Sequence, residues 1–233
     1  MTEEFSKAYW DGHYHEHSAG HPKPPNPHLV AEARELTPGT ALDAGCGEGA
    51  EAIWLAAQGW HVTAVDIADT ALHSARSHAA AAGDPVAARI DWRQADLTDW
   101  VPPVAQYDLV CSLYVHPKAS RESLAARLAA AVAPGGTLLI IGHHPSDRRP
   151  VSDAAARDVH FTPDEVGAGL DPEQWEILVA EDRHRPATGH GHEGHGHESH
   201  GHESHGHESH EGHGHGHDGH SSHDTVLRAR RRA

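Results

Sequence analysis

Hydrophobic positions along the chain fall into short apolar runs separated by alanine-rich segments of helical period. Thr40–Ala44, Trp60–Val65, Arg89–Gln94 and Tyr107–Ser112 read as strands, and so does TLLIIG at 137–142. The last run is apolar without alternation, the pattern of a strand covered on both faces of a parallel sheet. Between the strands, Glu51–Gln58, Asp69–Ala82 and Ser120–Ala133 carry helix patterns, and Gly59 and Gly83 stop the first two. Strands that alternate with helices at this spacing predict βαβ units, a doubly wound sheet with helices on both faces.

The two ends of the chain depart from that rhythm. Residues 1–19 suit a helix with Phe5, Tyr9, Trp10 and Tyr14 near one side. The prolines of HPKPPNP at 21–27 then forbid regular structure, and Asn26-Pro27 starts a helix that runs to Leu36. Residues 1–36 are therefore expected to form a helical lid or cap, and 37–233 a Rossmann-like domain. Near the C-terminus, Gln174–Glu181 and Asp224–Arg230 read as strands with no helix pattern between them, so they pair most simply as an antiparallel hairpin. Seven strands result, the last two a hairpin. The segment between them, 187–222, is a low-complexity tract of Gly, His, Glu and Ser with the repeat HGHES at His195, His200 and His205. Such a composition cannot bury a core and predicts a disordered loop.

The tract accounts for the low hydrophobic share of 37%, and the rest has the composition of a folded domain. A formal net charge of −16 with histidine neutral argues against a nucleic-acid partner, since phosphate binding needs clustered Lys and Arg. No apolar run approaches the roughly 20 residues of a membrane span. The polar start MTEEFSKAYW is no signal peptide, so the expected location is cytoplasmic, with no membrane partner. Cys46 and Cys111 are the only cysteines; they have no redox or metal spacing and read as small packing residues. The sequence carries no signal for oligomeric state.

Candidate chemistry concentrates in Leu42–Gly49, LDAGCGEG, a loop after a strand and before a helix, where nucleotide-like ligands bind. Gly45, Gly47 and Gly49 allow sharp turns and close ligand approach. The spacing is G-x-G-x-G, and the loop carries Asp43 and Glu48. An acidic loop repels a pyrophosphate and accepts hydrogen bonds from an ammonium group, which favours an amino-acid-bearing cofactor over NAD. Asp66 ends the second strand, where an acid can accept both ribose hydroxyls or cap the next helix. Asp96, in RQADL, is placed for an adenine amino group with Leu97 beside it, or for a plain turn. Tyr114 and His116 follow strand four, and His143 and His144 follow strand five, on the side where ligands sit in open sheets.

ALDAGCGEG, VTAVDI, QADL, YDLVCS and APGGTLLIIG, in that order over about residues 40–142, resemble the successive motifs of class I S-adenosylmethionine-dependent methyltransferases. The closing hairpin resembles that family's reversed last strand. The YWDGHY and Pro-Asn-Pro segments look like the small-molecule branch of tellurite-resistance and thiopurine methyltransferases. The resemblance implies an S-adenosylmethionine cofactor held by Asp43, Gly45, Gly47, Asp66 and Asp96, with Ile67, Leu97 and Ser112 beside it. It implies a small-molecule acceptor, a thiol or a chalcogen or metalloid species, with His143, Tyr114 and His116 as catalytic candidates. The absence of a third cysteine counts against an arsenite methyltransferase.

The histidine tract supports a second reading. Imidazoles suit Ni²⁺ and Zn²⁺, and His195, His197, His200, His202, His205 and His207 sit in the repeats. The chain would then be a metal-handling protein on a methyltransferase-like scaffold. Repeat expansion in a tolerant loop explains the tract equally.

Overall fold

The structure is a computed structural model that describes residues 4–17, 20–116, 118, 120–146, 159–184 and 223–233. Seven strands form one sheet in the order β3-β2-β1-β4-β5-β7-β6. They are β1 (Thr40–Ala44), β2 (His61–Asp66), β3 (Ile90–Gln94), β4 (Tyr107–Leu113), β5 (Val132–His143), β6 (Trp175–His184) and β7 (His223–Arg231). β1 to β5 are parallel, and β7 runs antiparallel between β5 and β6. This is the Rossmann-like doubly wound sheet with its antiparallel C-terminal pair.

The helices are α1 (Lys7–His17), α2 (Pro27–Ala33), α3 (Ala50–Ala57), α4 (Asp69–Ala81), α5 (Asp84–Ala87), α6 (Arg121–Ala131) and α7 (Pro163–Gly167). Successive strand residues serve opposite faces. Leu42, Val110, Leu138, Ile140 and Leu227 pack with Leu124 and Leu128 of α6. Ala41, Leu109, Leu139, Ile141 and Val226 pack on the other face with Leu29 of α2 and Leu55 of α3. Both faces are covered, which explains the unbroken apolar runs.

Several segments differ from the sequence expectation: α2 ends at Ala33 where helix had been expected to Leu36, and the short α5 was not expected. β5 begins at Val132, so α6 ends at Ala131, where helix had been expected to Ala133. Val132 pairs with Tyr107, then the register shifts before Leu109 pairs with Thr137. Pro134 has no N–H for either a helix or a ladder, and Gly135 takes φ +79° to make the irregularity. The helix α7 is additional, and its signal was present. Thr162 accepts from the Glu165 backbone while the Glu165 side chain accepts from Thr162, a T-x-x-E capping box.

The N-terminal helix is fixed beside the sheet by α4. Thr70 donates to Asp11 through its backbone N–H at 3.2 Å and its hydroxyl at 2.8 Å, and Lys7 reaches Asp69 at 3.1 Å. Among the described residues no helix is long and apolar enough to cross a membrane. The tract histidines His195, His197, His200, His202, His205 and His207 lie outside the described residues.

Candidate active site

The strand order reverses between β1 and β4, which leaves a crevice beyond their carboxyl ends. The glycine loop fills its base. Gly45 and Cys46 donate backbone N–H groups to the Val65 carbonyl at 2.8 and 3.0 Å, and Gly47 donates to Asp66 Oδ2 at 2.8 Å. Gly45, Gly47 and Gly49 all have positive φ, +82°, +51° and +86°. At Gly47 a side chain is excluded twice, because a Cβ would also stand 2.7 Å from the Tyr14 hydroxyl.

A cavity of about 1000 Å³ opens above the loop. It is at the upper end of the range for small-molecule sites, roughly 300–1,000 Å³, so it has room for a cofactor and a second ligand. Asp43, Gly45, Gly47, Asp66, Ile67, Asp96 and Leu97 line it, and so do Tyr114, His116 and His143. The structure therefore brings together all the predicted cofactor and catalytic residues except one. Ser112 faces away, into a separate space of about 30 Å³ beside Leu124, Leu128 and Phe161. Strand parity explains it: Cys111 and Leu113 belong to one face and Ser112 to the other.

The same parity separates the paired histidines. His143 is buried and faces the cavity, with its ring 4.8 Å from Tyr114 and 5.7 Å from His116. His144 points to the opposite side, where Nε2 lies 3.3 Å from Asp182. Asp66 does not cap a helix, because the N-cap of α4 is Ala68. Its second oxygen instead accepts from the Ala68 N–H at 2.9 Å, so the carboxylate ties the end of β2 to the glycine loop. Asp96 closes a turn by accepting from Thr98 N–H at 2.8 Å and also borders the cavity.

Three carboxyls crowd the loop end: Asp43, Glu51 and Asp66. Burial pushes Asp43 well above the usual carboxylate range, and the charges of Glu51 and Asp66 add to the shift. Burial raises Glu51 and Asp66 in the same direction. Sequence reading missed Glu51, whose Oε1 accepts from the Asn26 N–H at 3.0 Å. Its only signal was a place in the first turn of the helix after the loop. Cys46 and Cys111 are buried, and burial raises both thiols, so they stay protonated packing groups. Tyr14, also pushed up by burial, covers the loop as a neutral phenol.

A family model of a methyltransferase domain matches residues 41–136, the span from β1 into β5. The chain is 28% identical over 162 residues to 2-heptyl-1-hydroxyquinolin-4(1H)-one methyltransferase of Mycobacteroides abscessus, covering 64% of this chain and 69% of that protein. Over residues 41–136 the chain carries a methyltransferase domain. Two solved structures share the fold of this methyltransferase at low identity. One belongs to work on conversion of a disulfide bond into a thioacetal group during echinomycin biosynthesis, with TM-score 0.62, 22% identity, and coverage of 97% of this chain and 92% of that one. The other is TehB from Haemophilus influenzae, with TM-score 0.59, 17% identity, and coverage of 97% and 67%.

The methyltransferase's own residues fit the cofactor. Buried Asp43 Oδ2 has no hydrogen-bond partner among the described residues, and a crowded acidic floor suits a ligand carrying an ammonium group. The bare backbone at Gly45 and Gly47 lets Val115 and Tyr14 close over the loop, where a Cβ would run into their side chains. Among the described residues no group of three His, Cys, Asp or Glu side chains could hold a metal ion, and this includes His13, His15 and His17 of α1.

The carboxyl shifts set a pH dependence. A carboxyl raised on folding contributes stability that is present below its unfolded value, near 4, and lost as pH rises through its folded value. The ligand-free methyltransferase should therefore gain stability from these groups on acidification from neutral pH. Asp43→Asn should flatten that slope in melting curves. S-adenosylhomocysteine, which keeps the ammonium, should lower the carboxyl values and release protons on binding in the shifted range. Titration calorimetry in buffers of different ionisation enthalpy reads this directly; a net proton uptake would contradict it.

Proposed function

We propose that this enzyme methylates a small organic nucleophile, a thiol or a comparably acidic hydroxyl, held against an aromatic wall. The carrying observation is one cavity lined both by the glycine loop with three carboxyls and by Tyr114, His116 and His143. In this reading Asp66 holds the ribose hydroxyls, Asp43 faces the amino group, and Asp96 with Leu97 and Ile67 borders the adenine. In the same reading the N-terminal segment 1–36 acts as the cap.

Phe5, Tyr9 and Trp10 of the N-terminal segment also line the cavity, and the Phe5 ring lies 5.1 Å from His116. Aromatic walls favour flat apolar ligands. Two relatives support this acceptor class: the mycobacterial enzyme named for a hydroxyquinolinone, and the fold neighbour from thioacetal formation, a sulfur chemistry. An inorganic chalcogen oxyanion suits the site less well, because the cavity floor is acidic. A metalloid species lacks thiolate ligands here, since both cysteines are buried and protonated.

When bound, S-adenosylmethionine supplies an electrophilic methyl group on a sulfonium. The protein's part is to hold the nucleophile in line and exclude water, which can supply about 7–11 kcal/mol of barrier lowering. The α1 aromatics exclude water, and His143 and His116 orient the acceptor. His143→Ala should lower turnover about 10–100-fold, part of the general acid–base and positioning scale, with S-adenosylhomocysteine affinity unchanged. Calorimetry should show that analogue binding and NADH not binding. Methylation assays should then be run with aromatic thiols, hydroxyquinolines, selenite and tellurite. Turnover of the inorganic oxyanions alone would overturn the organic-acceptor reading.

A further inference from the structure

A buried polar chain lies behind one residue of the cavity wall. Tyr114 follows β4 at the crevice with φ +52°. A bulky aromatic in the left-handed region is strained and persists only where its surroundings fix it. Its hydroxyl donates to Asp224 Oδ2 at 2.7 Å and accepts from Asn26 Nδ2 at 3.0 Å. Asp224, fully buried in β7, also lies 3.4 Å from His28 Nε2 of α2. The strand neighbours of Asp224 are His143 on β5 and Arg183 on β6, and the Arg183 guanidinium is committed to Glu32 at 2.7 Å. Four polar side chains from three distant segments thus meet behind one cavity residue.

A fully buried carboxylate costs several kcal/mol unless it is paired, and an apolar replacement is often no less stable. Packing alone therefore gives no reason for this arrangement, whereas a group that takes up a proton does. We propose that Tyr114 receives the acceptor's proton during methyl transfer and that Asp224, set by His28, is the group to which Tyr114 passes its own. This rests on the methyltransferase reading of the site. As the acceptor oxygen or sulfur bonds to the methyl carbon, its O–H or S–H bond breaks and that proton moves to Tyr114 Oη. The original Oη–H bond breaks in the same event and its proton goes to Asp224 Oδ2. Tyrosine ends as it began and Asp224 ends neutral. The proton then leaves by His28, which is 8% exposed. Asn26 holds the phenol in line, and Asp224 and His28 are positioning residues.

The probe is 4-nitrophenol, whose anion has its own absorption band, added to the full chain saturated with S-adenosylhomocysteine. The wild-type protein should bind it as the anion at a pH where the free phenol is still protonated. Tyr114→Phe and Asp224→Asn should each lower the bound anion-to-phenol ratio about tenfold or more, one unit of apparent pKa. His28→Gln should lower it less. Asparagine keeps the shape and the contact to Tyr114 but cannot take a proton, so a structural role would leave the ratio unmoved. If Asp224→Asn fails to fold, Tyr114→Phe leaves the Asp224–His28 pair intact and carries the same test. An unchanged ratio in the folded variants overturns the relay. So does a wild-type complex that binds S-adenosylhomocysteine but not the phenol. Loss of S-adenosylhomocysteine binding in the wild-type protein would instead remove the methyltransferase reading of the site.

Discussion

Gly47→Val is expected to remove measurable S-adenosylhomocysteine binding while leaving a folded protein. Gly47 sits at φ +51°, a region that β-branched residues avoid, and its Cβ would stand 2.7 Å from the Tyr14 hydroxyl. Either the loop moves off the end of β2 or Tyr14 is displaced, and both change the cradle. Backbone strain of this kind costs about 1–3 kcal/mol, which a folded domain of this size survives. The loss of affinity should exceed about 100-fold, near 3 kcal/mol, because the new methyls occupy ligand space as well. Gly135→Ala separates strain from site. Gly135 also has positive φ, +79°, but a Cβ there meets nothing within 4 Å. It should lower the melting temperature and leave binding untouched. Normal binding by Gly47→Val would reduce the loop to a plain turn.

The central strands β1, β2, β4 and β5 were legible because buried parallel strands write themselves as apolar runs, and the closing hairpin because no helix pattern separates β6 from β7. The crevice residues were legible for a related reason: a strand end followed by glycine, aspartate or histidine stays visible without any knowledge of contacts. Ser112 was misplaced because a motif was carried over without its strand parity, and parity also divides His143 from His144. The chain behind Tyr114 was invisible. Asn26 and His28 lie close together in sequence, but Tyr114 and Asp224 are 88 and 110 residues further on in turn, and only the sheet order brings them together. Glu51 looked like an ordinary first-turn acid, and its place beside the loop follows from the hydrogen bond it accepts from Asn26 N–H, 25 residues away.

Asp66→Ala should weaken S-adenosylhomocysteine binding by about 1.5–3 kcal/mol, the range for hydrogen bonds to a charged group, or roughly 10–150-fold. The side chain accepts from Gly47 N–H at 2.8 Å and Ala68 N–H at 2.9 Å. Its removal leaves two donors near the floor of the cavity without their acceptor, so the glycine loop loosens at the point where the ligand sits. A second effect works in the opposite sense. Asp66 is one of the charges that raise Asp43, so its loss lets Asp43 ionise more readily and strengthens the pull on an ammonium group. The first effect should win, because it removes direct contacts, whereas the relief acts through a neighbour. Asp66→Asn distinguishes the two. It keeps one carbonyl acceptor and removes the charge, so it should bind more tightly than Asp66→Ala, with a shallower pH dependence than the wild-type protein. Asp96→Ala, which frees only the Thr98 N–H, should cost less than Asp66→Ala. Calorimetric titration of the folded variants orders them, and equal affinity for Asp66→Ala and wild type would remove Asp66 from the site.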